Sequence, residues 1–297
     1  MDRLEAMAIF AAAVDAGSLS AASRQLRMPL ATVSRKIADL ETRLHTRLMH
    51  RSTRKLTLTD AGADYLAACR RILDDVAEAE GAAAGEFSAP RGELVVTAPI
   101  LFGRLHVLPV MVGFLAAFPE VDVRLLFGDR TLNLLDDHVD LAIRIGELPD
   151  SALVARRIGA IREVVCASPA YFAARGVPQH PDDLRTHACL TFAGLAAPGT
   201  WRFRDHTVAV HSRLVADTAD AAIGAAIAGA GITRALSYQV ADACRSGTLS
   251  LALEAFEAPP RPVHLVYARQ GRIPLKLRAC IDYMEPLLRE RLARQTF

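Results

Sequence analysis

A run of hydroxyl and basic side chains begins at a proline near the start of the sequence. It reads Pro29, Leu30, Ala31, Thr32, Val33, Ser34, Arg35 and Lys36. Hydroxyl, ammonium and guanidinium groups on one helix face can donate hydrogen bonds to DNA phosphates and base edges. Arg35 is the best candidate for a bidentate contact to guanine, and a phosphate clamp is its alternative role. Leu30 and Ala31 can contact thymine methyl groups.

A second basic run lies at the tip of a predicted β-hairpin. It comprises Arg51, Ser52, Thr53, Arg54 and Lys55. Leucines at 56 and 58 alternate with threonines at 57 and 59, as in a half-buried strand. Such a hairpin can contact phosphates or the minor groove, and a solvated hairpin without DNA contacts is the alternative.

The distribution of charge supports a separate basic module. Residues 20–58 contain nine Arg and Lys and two acids, a net charge of +7, although the whole chain carries only +2. Residues 60–88 contain seven acids and two Arg, a net charge of −5. This change of sign along the chain favours a basic unit with its own partner.

Short helices are predicted to position these groups. Residues 4–14 have helical apolar spacing, and Gly17 ends that helix. Ser18 and Ser20 can cap a second helix, where their hydroxyls are also suited to a backbone phosphate. A third helix is expected from about Pro29 to Leu44, because proline at its first position lacks a donor that would be unsatisfied anyway.

The second and third helices together fit a helix-turn-helix. The apolar face of the third helix comprises Val33, Ile37, Leu40 and Leu44. Burying this face leaves the polar face free for a major groove. A plain three-helix core with solvated charges is the alternative.

A long helix is predicted from residue 60 to about residue 86, with Thr59 as its N-cap. Its narrow apolar stripe comprises Ala61, Tyr65, Ala68, Ile72, Val76, Ala79 and Ala83. Narrow stripes on long helices pair with another helix, so a dimer is expected.

Between residues 93 and 146, strands and helices alternate, which predicts a parallel, doubly wound sheet. One set of elements covers about 91–160 and a second about 162–264. The last strand and helix, at 266–297, are expected to return to the first set. Two α/β lobes would then be joined by two crossing strands, near 158–165 and 260–267. Ligands of such lobes bind at strand carboxyl ends and helix N-termini.

These rules select a group of candidate binding residues for a small molecule. They are Thr97, Pro99, Ile100, Leu101, Gly128, Arg144, Ile145, Gly146 and Ile232. The N–H groups at the start of the helix predicted over 101–117 would face an anion there. Arg144 can clamp a carboxylate, and an ion pair with Asp129 or Glu147 is its alternative role. An anionic ligand is therefore expected.

Other functional classes lack their motifs. No G-x-S-x-G, H-E-x-x-H or P-loop pattern occurs, so neither catalysis nor a cofactor is expected. The five cysteines form no C-x-x-C pair, so a metal site is not expected, and free thiols in a reducing cytoplasm are the simplest interpretation. No signal peptide is indicated, and Arg104 and His106 interrupt the most apolar stretch, so no membrane partner is expected.

Two segments carry a family resemblance. GSLSAASRQLRMPLATVSRKIADLE, followed by RLMHRSTRKLTLTDAG, resembles the N-terminal signature of LysR-type transcriptional regulators. DLAIRIGELPDSALVARRIG, ASPAYFAARGVP and the C-terminal third resemble the effector domain of that family. The resemblance covers the whole chain. Pro29, Leu30 and Ala31 depart from the usual start of the recognition helix, and Arg27 stands where glycine is usual.

The resemblance implies a multidomain protein. A winged helix-turn-helix domain at 1–59 would be followed by a linker helix at 60–88 and a two-lobed α/β domain at 89–297, like periplasmic binding proteins. It also implies a cytoplasmic regulator that binds double-stranded DNA at an interrupted inverted repeat, as a homodimer or homotetramer. A small-molecule effector would bind between the lobes, where Thr218 would face the effector residues of the first lobe. RNA polymerase is a candidate further partner. A solute-binding or enzymatic α/β protein with an accessory helical module is the alternative.

Overall fold

The computed structural model describes residues 2–51, 56–83, 89–129, 134, 137–149, 152–195, 199–268 and 273–294. The chain divides into two compact units, Met1–Glu93 and Leu94–Phe297.

The first unit is a helical domain with a small hairpin and a long helix. Its elements are α1 (Arg3–Asp15), α2 (Leu19–Gln25), α3 (Leu30–Leu44), β1 (Met49–Arg51), β2 (Leu56–Leu58) and α4 (Asp60–Ala83). The two strands pair antiparallel, with Met49 opposite Leu58. These elements confirm the predicted helix-turn-helix and hairpin.

The turn between α2 and α3 is held by the backbone and by one hydroxyl. Arg27 has a φ of +51°, a left-handed conformation that is unfavourable for a residue other than glycine. The hydroxyl of Ser23 donates a 2.6 Å hydrogen bond to the carbonyl oxygen of Met28, across this turn. This bond supports the backbone conformation that the arginine must adopt.

The third helix buries the predicted side, with one exception. Val33, Ile37 and Leu40 are buried in the core of this unit. Leu44 was predicted to share that face, but it is 37% exposed. The helix ends at His45, which is left-handed, so Leu44 lies in the last turn, where the core no longer covers it.

The long helix begins as predicted and approaches the hairpin closely. Thr59 caps it, because its hydroxyl accepts a hydrogen bond from the N–H of Gly62. A Cβ at Gly62 would lie 1.8 Å from the carbonyl oxygen of Leu48, so only glycine fits there. Leu66 and Cys69 are buried against the core of their own unit. Ile72, from the predicted stripe, is 37% exposed.

The second unit contains two five-stranded sheets. Its elements up to the first crossing are β3 (Gly92–Ala98), α5 (Ile100–Phe102), a π-helical turn (Gly103–Val107), α6 (Leu108–Ala117), β4 (Val121–Phe127), β5 (Leu141–Ile145) and β6 (Leu153–Ile161). The elements between the crossings are β7 (Glu163–Ala167), α7 (Pro169–Arg175), a 3-10 helix (Pro181–Thr186), β8 (Ala188–Phe192), β9 (Thr200–Arg202), β10 (Thr207–Ala209), β11 (His211–Ala216), α8 (Ala219–Ile227), β12 (Ile232–Leu236), α9 (Ser237–Arg245), β13 (Ser250–Ala252) and a 3-10 turn (Glu254–Phe256). The last elements are β14 (Arg261–Ala268) and α10 (Leu275–Ala293).

The sheet orders show how the chain crosses between the two lobes. The first sheet runs β4-β3-β5-β14-β6 and the second runs β11-β8-β12-β7-β13. Strand β14 therefore returns to the first lobe, as the sequence predicted. It pairs with β6 from Arg261 onward, so the second lobe ends near residue 260 and not near 264.

The parallel sheet predicted from the strands at residues 93–146 is confirmed for β3 and β5, whereas the crossing strands are antiparallel. Strand β3 is parallel to β5, but β14 is antiparallel to both β5 and β6. In the second sheet, β12 is parallel to β8 and antiparallel to β7. The crossing strands run against the others because each enters its sheet from the opposite lobe. The short helix predicted over 131–137 falls mostly outside the described residues.

One continuous apolar helical segment forms much of the core of the first lobe. Ile100–Ala117 is apolar enough by composition to cross a membrane, and 44% of it is buried inside the protein. Its buried side includes Phe102, Val107 and Phe114. The π-helical turn widens the helix in the middle of this segment, a feature often found near functional sites.

Candidate DNA-binding and effector sites

The start of α3 presents the predicted polar face. Pro29 precedes the helix as its N-cap. Ser20, Pro29, Leu30, Ala31 and Arg35 are exposed, and Ser18, Thr32, Ser34 and Lys36 are half-buried. The buried side of α3 leaves these groups on the surface of the first unit, where a groove-binding helix must present them.

Two of the predicted DNA contacts have structural roles. The hydroxyl of Ser18 accepts a hydrogen bond from the N–H of Ala21 and so caps α2. The ammonium group of Lys36 lies 2.5 Å from a carboxylate oxygen of Glu5 in α1. The prediction that Ser20 also caps α2 is wrong, because Ser20 lies inside that helix.

The hairpin residues are described only in part. Arg51 ends β1, where it pairs with Leu56. Ser52, Thr53, Arg54 and Lys55 lie outside the described residues. The predicted contacts of the hairpin with DNA therefore remain predictions.

The start of the helical segment in the first lobe is already occupied by a carboxylate. The N–H of Ile100 donates a 3.2 Å hydrogen bond to Asp129, which follows β4. Burial is the largest influence on Asp129 and raises the pKa of its carboxyl, and the nearby charge of Asp220 adds to this rise. The hydrogen bond from Ile100 opposes it. The predicted anion-binding position thus holds an acid of the protein itself.

Several predicted effector contacts belong to the core or to the backbone framework. Thr97 is 1% exposed, and its hydroxyl donates to the carbonyl oxygen of Leu126. Leu101 and Ile232 are buried in apolar clusters, and their contact with an effector remains a prediction.

The other predicted effector residues lie at the ends of strands and helices. Pro99 precedes α5, and Thr218 precedes α8 without its hydroxyl capping that helix. Gly128 donates its N–H to Ala98, and Gly146 donates its N–H to Pro262. Ile145 pairs with Val263 of the crossing strand.

Arg144 lies beside a histidine of the crossing strand. It is half-buried, and its cross-strand neighbour is His264 in β14. Burial lowers the pKa of Arg144. Burial also lowers the pKa of His264, with Glu147 opposing that shift.

The two lobes touch through a cluster of rings. Tyr238 of α9 meets Phe102 edge-on, with centroids 5.5 Å apart, and meets His106 at 5.4 Å. Burial, with a smaller contribution from Arg291, lowers the pKa of His106 to about 4. The imidazole is therefore neutral near pH 7. Arg104 and Asp220 add an exposed contact between the lobes, at 3.6 Å.

A group of charged side chains lies at the hinge, where the chain crosses between the lobes. The sequence analysis did not predict this group. Glu163, at the start of β7, contacts both Arg234 and Arg261. A buried arginine inside the apolar strand ITRAL, and an arginine between prolines in PPRP, were the signals that could have identified them.

Comparison with known proteins agrees with this architecture. Residues 4–63 match the model of the "bacterial regulatory helix-turn-helix protein, lysR family", and residues 88–289 match that of the "LysR substrate binding domain". A transcriptional regulator of Xanthomonas campestris is 36% identical over 284 residues, which cover 93% of this chain and 83% of the relative.

Two further relatives support the same assignment. A transcriptional repressor of Pseudomonas aeruginosa is 34% identical, over 98% of this chain and 93% of the relative. The structure of CrgA, a LysR-type transcriptional regulator from Neisseria meningitidis, superimposes with a TM-score of 0.62 and is 30% identical, over 97% of this chain and 99% of that one. These relatives are regulators and not enzymes or transport proteins, and the chain belongs to the LysR family of transcriptional regulators.

Proposed function

We propose that this regulator binds an interrupted inverted repeat as a homodimer or homotetramer in the cytoplasm, and that a small anionic effector between its lobes modulates the binding. The observation that carries the DNA-binding part is the exposed polar start of α3 above a buried apolar face. A dimer would place two such helices in major grooves about 34–36 Å apart.

Exposed apolar side chains support self-association. Leu105, Leu108, Val112 and Leu115 recur at spacings of three and four residues and are 37%, 41%, 60% and 40% exposed. Leucine and valine in a contiguous exposed stripe are typical of a protein interface. Ile72 on α4 is a second such position, in the unit that binds DNA.

Binding to DNA can be tested with the DNA upstream of the protein's own gene. Fluorescence anisotropy should give a dissociation constant that rises steeply with salt. If about six phosphates are neutralised, affinity should fall about a thousandfold over a fourfold rise in salt. Footprinting should reveal protected segments one helical turn apart. A salt-insensitive complex would contradict the proposal.

Self-association can be tested by making the same change, valine to glutamate, at two exposed positions. We expect Val112→Glu to lower the mass measured by light scattering, because a charge would be buried in the interface. Val177→Glu is the matched control, since Val177 is 46% exposed but lies outside the stripe. Equal masses for both variants and the wild type would exclude this stripe as an interface.

A further inference from the structure

A carboxylate joins the last turn of α3 to the hairpin that follows it. Oε1 of Glu41 accepts hydrogen bonds from the N–H groups of Leu48, at 2.9 Å, and Met49, at 3.3 Å. Glu41 lies in the last turn of α3, and Met49 is the first residue of β1. One side chain of the helix that presents the predicted groove contacts therefore holds the start of the hairpin.

The start of α4 holds the same short segment from another side. The N–H of Thr59 donates a 3.1 Å hydrogen bond to the carbonyl oxygen of Leu48. The hydroxyl of Thr59 donates a 2.7 Å hydrogen bond to the carbonyl oxygen of Arg47. The segment thus has two independent attachments, one to α4 through Thr59 and one to α3 through Glu41.

An open depression of about 630 Å³ lies where α3, the turn after it and β1 meet. Its lining comprises Ala38, Glu41, Thr42, His45, Thr46, Arg47 and Met49. Both Glu41 and Met49 face this depression, so the carboxylate spans a gap between the helix and the strand. A side chain that spans a gap can set the angle between the two elements.

A direct contact of Glu41 with DNA is unfavourable, because phosphates repel a carboxylate. Residues 20–58 carry a net charge of +7, and an acid among them opposes the attraction to DNA. The two charge-assisted hydrogen bonds to backbone N–H groups give this acid a different use.

We propose that Glu41 is a positioning residue for DNA binding: it sets the direction of the hairpin relative to α3, so that helix and hairpin contact one duplex together. The inference rests on the proposed binding of DNA and on the predicted phosphate contacts of the hairpin. Without the carboxylate, the two N–H groups lose this acceptor, and the hairpin can turn about its attachment to α4. The contacts of α3 would then remain, and those of the hairpin would be lost.

The test measures binding of the full-length protein to the upstream DNA by fluorescence anisotropy over a range of salt concentrations. Glu41→Leu removes the acceptor and should weaken binding about tenfold or more at low salt. It should also reduce the slope of log Kd against log salt by about 1.8 or more. Each hairpin of a dimer would lose at least one phosphate contact, and each contact contributes about 0.9 to the slope.

Two further variants serve as controls. Glu41→Gln keeps an oxygen acceptor and should retain the wild-type slope, with an affinity within about threefold of the wild type. Asp39→Leu removes the same charge from an exposed position of α3 and should also retain the slope. Melting curves show whether each variant is folded during the titration. If Glu41→Leu does not fold, Glu41→Asp replaces it, because its carboxylate is one methylene too short to reach both N–H groups.

Lys55→Gln, a substitution within the hairpin, separates the two proposals. If it reduces the slope and Glu41→Leu does not, the inference is overturned while the proposed DNA binding stands. Unchanged slopes in both variants would overturn the inference together with the predicted hairpin contacts.

An equal loss in Glu41→Gln and Glu41→Leu, or weaker binding with an unchanged slope, would also contradict a positioning role of the carboxylate oxygen. If the wild type does not bind the upstream DNA, the proposed operator is wrong. The same slopes measured on a random-sequence duplex then decide the inference, because phosphate contacts do not depend on sequence.

Discussion

The ammonium group of Lys36 and the carboxylate of Glu5 form an ion pair between α3 and α1 at 2.5 Å. This pair turns Lys36 toward the core of its own unit, whereas the preceding residue, Arg35, is exposed. Two adjacent basic residues that look alike in the sequence therefore have different surroundings.

We expect Arg35→Ala to weaken binding to upstream DNA at least tenfold, since a bidentate contact to a base or phosphate contributes about 1–3 kcal/mol. Lys36→Met should leave DNA affinity within about twofold and lower stability by less than about 1 kcal/mol, because the pair with Glu5 is partly solvated. Anisotropy titrations and chemical denaturation measure these quantities. The reverse order of the two affinities would disprove this assignment of roles.

Gly62→Ala should destabilise the DNA-binding unit by about 3 kcal/mol or more. Its Cβ would lie 1.8 Å from the carbonyl oxygen of Leu48, so α4 or the hairpin must move. Gly224→Ala is the matched control, because no atom lies within 4 Å of its Cβ position. Since Gly224 lies inside α8, alanine there should be neutral or stabilising by up to about 1 kcal/mol. Similar urea midpoints for the two variants would contradict the close approach.

The effector domain should lose stability as the pH falls from 7 to 5. The folded pKa of His106 is about 4, below its unfolded value of about 6.5. Between these values the unfolded chain binds the extra proton, so His106 alone should remove about 2 kcal/mol at pH 5. His187 and His264, whose pKa values are also lowered by burial, act in the same direction.

The variant His106→Phe isolates this contribution. Its unfolding free energy should change less between pH 7 and pH 5 than that of the wild type, with a remainder from the other two histidines. Denaturation curves at the two pH values measure the difference. An unchanged pH dependence would mean that His106 is not neutral when folded.

The cysteines should differ sharply in reactivity. Burial raises the pKa of Cys69 to about 11 and those of Cys166, Cys189 and Cys280 to about 12. Burial also raises the pKa of Cys244, but this thiol is half-buried and thus more accessible to a reagent than the other four. Because the thiolate is the reactive form, Ellman's reagent at pH 8 should label about one thiol per native chain and five after unfolding. Cys244→Ser should abolish the fast native reaction, and rapid labelling of that variant would contradict the assignment.

Sequence periodicity predicted many of the elements and their order, but it did not predict helix α7 or strand β12. Residues such as Val33 and Ile37, and the strand at 121–127, follow simple spacing rules, and the structure places them as predicted. The antiparallel crossing strands were not predictable in the same way, because pattern reveals a strand but not the direction from which it enters a sheet.

The candidate effector site was harder to predict because charge partners come from distant parts of the chain. Glu163 meets Arg234 and Arg261, which are far from it in sequence. Asp129 fills the position at Ile100 that was expected to receive an anion. Gly146 was predicted from its position at the end of a strand, and it lines a cleft of about 690 Å³ at the hinge. The position of a strand end does not reveal which side chains supply the charge of this cleft.

The return of β14 to the first sheet sets an order for folding during synthesis. The second sheet is built from the uninterrupted stretch 163–252, whereas the first needs residues 261–268 between β5 and β6 and packs against α10. The second lobe can thus fold before the first lobe, which stays incomplete until the last part of the chain leaves the ribosome. Loss of the final forty residues would remove an interior strand from the lobe that is translated first.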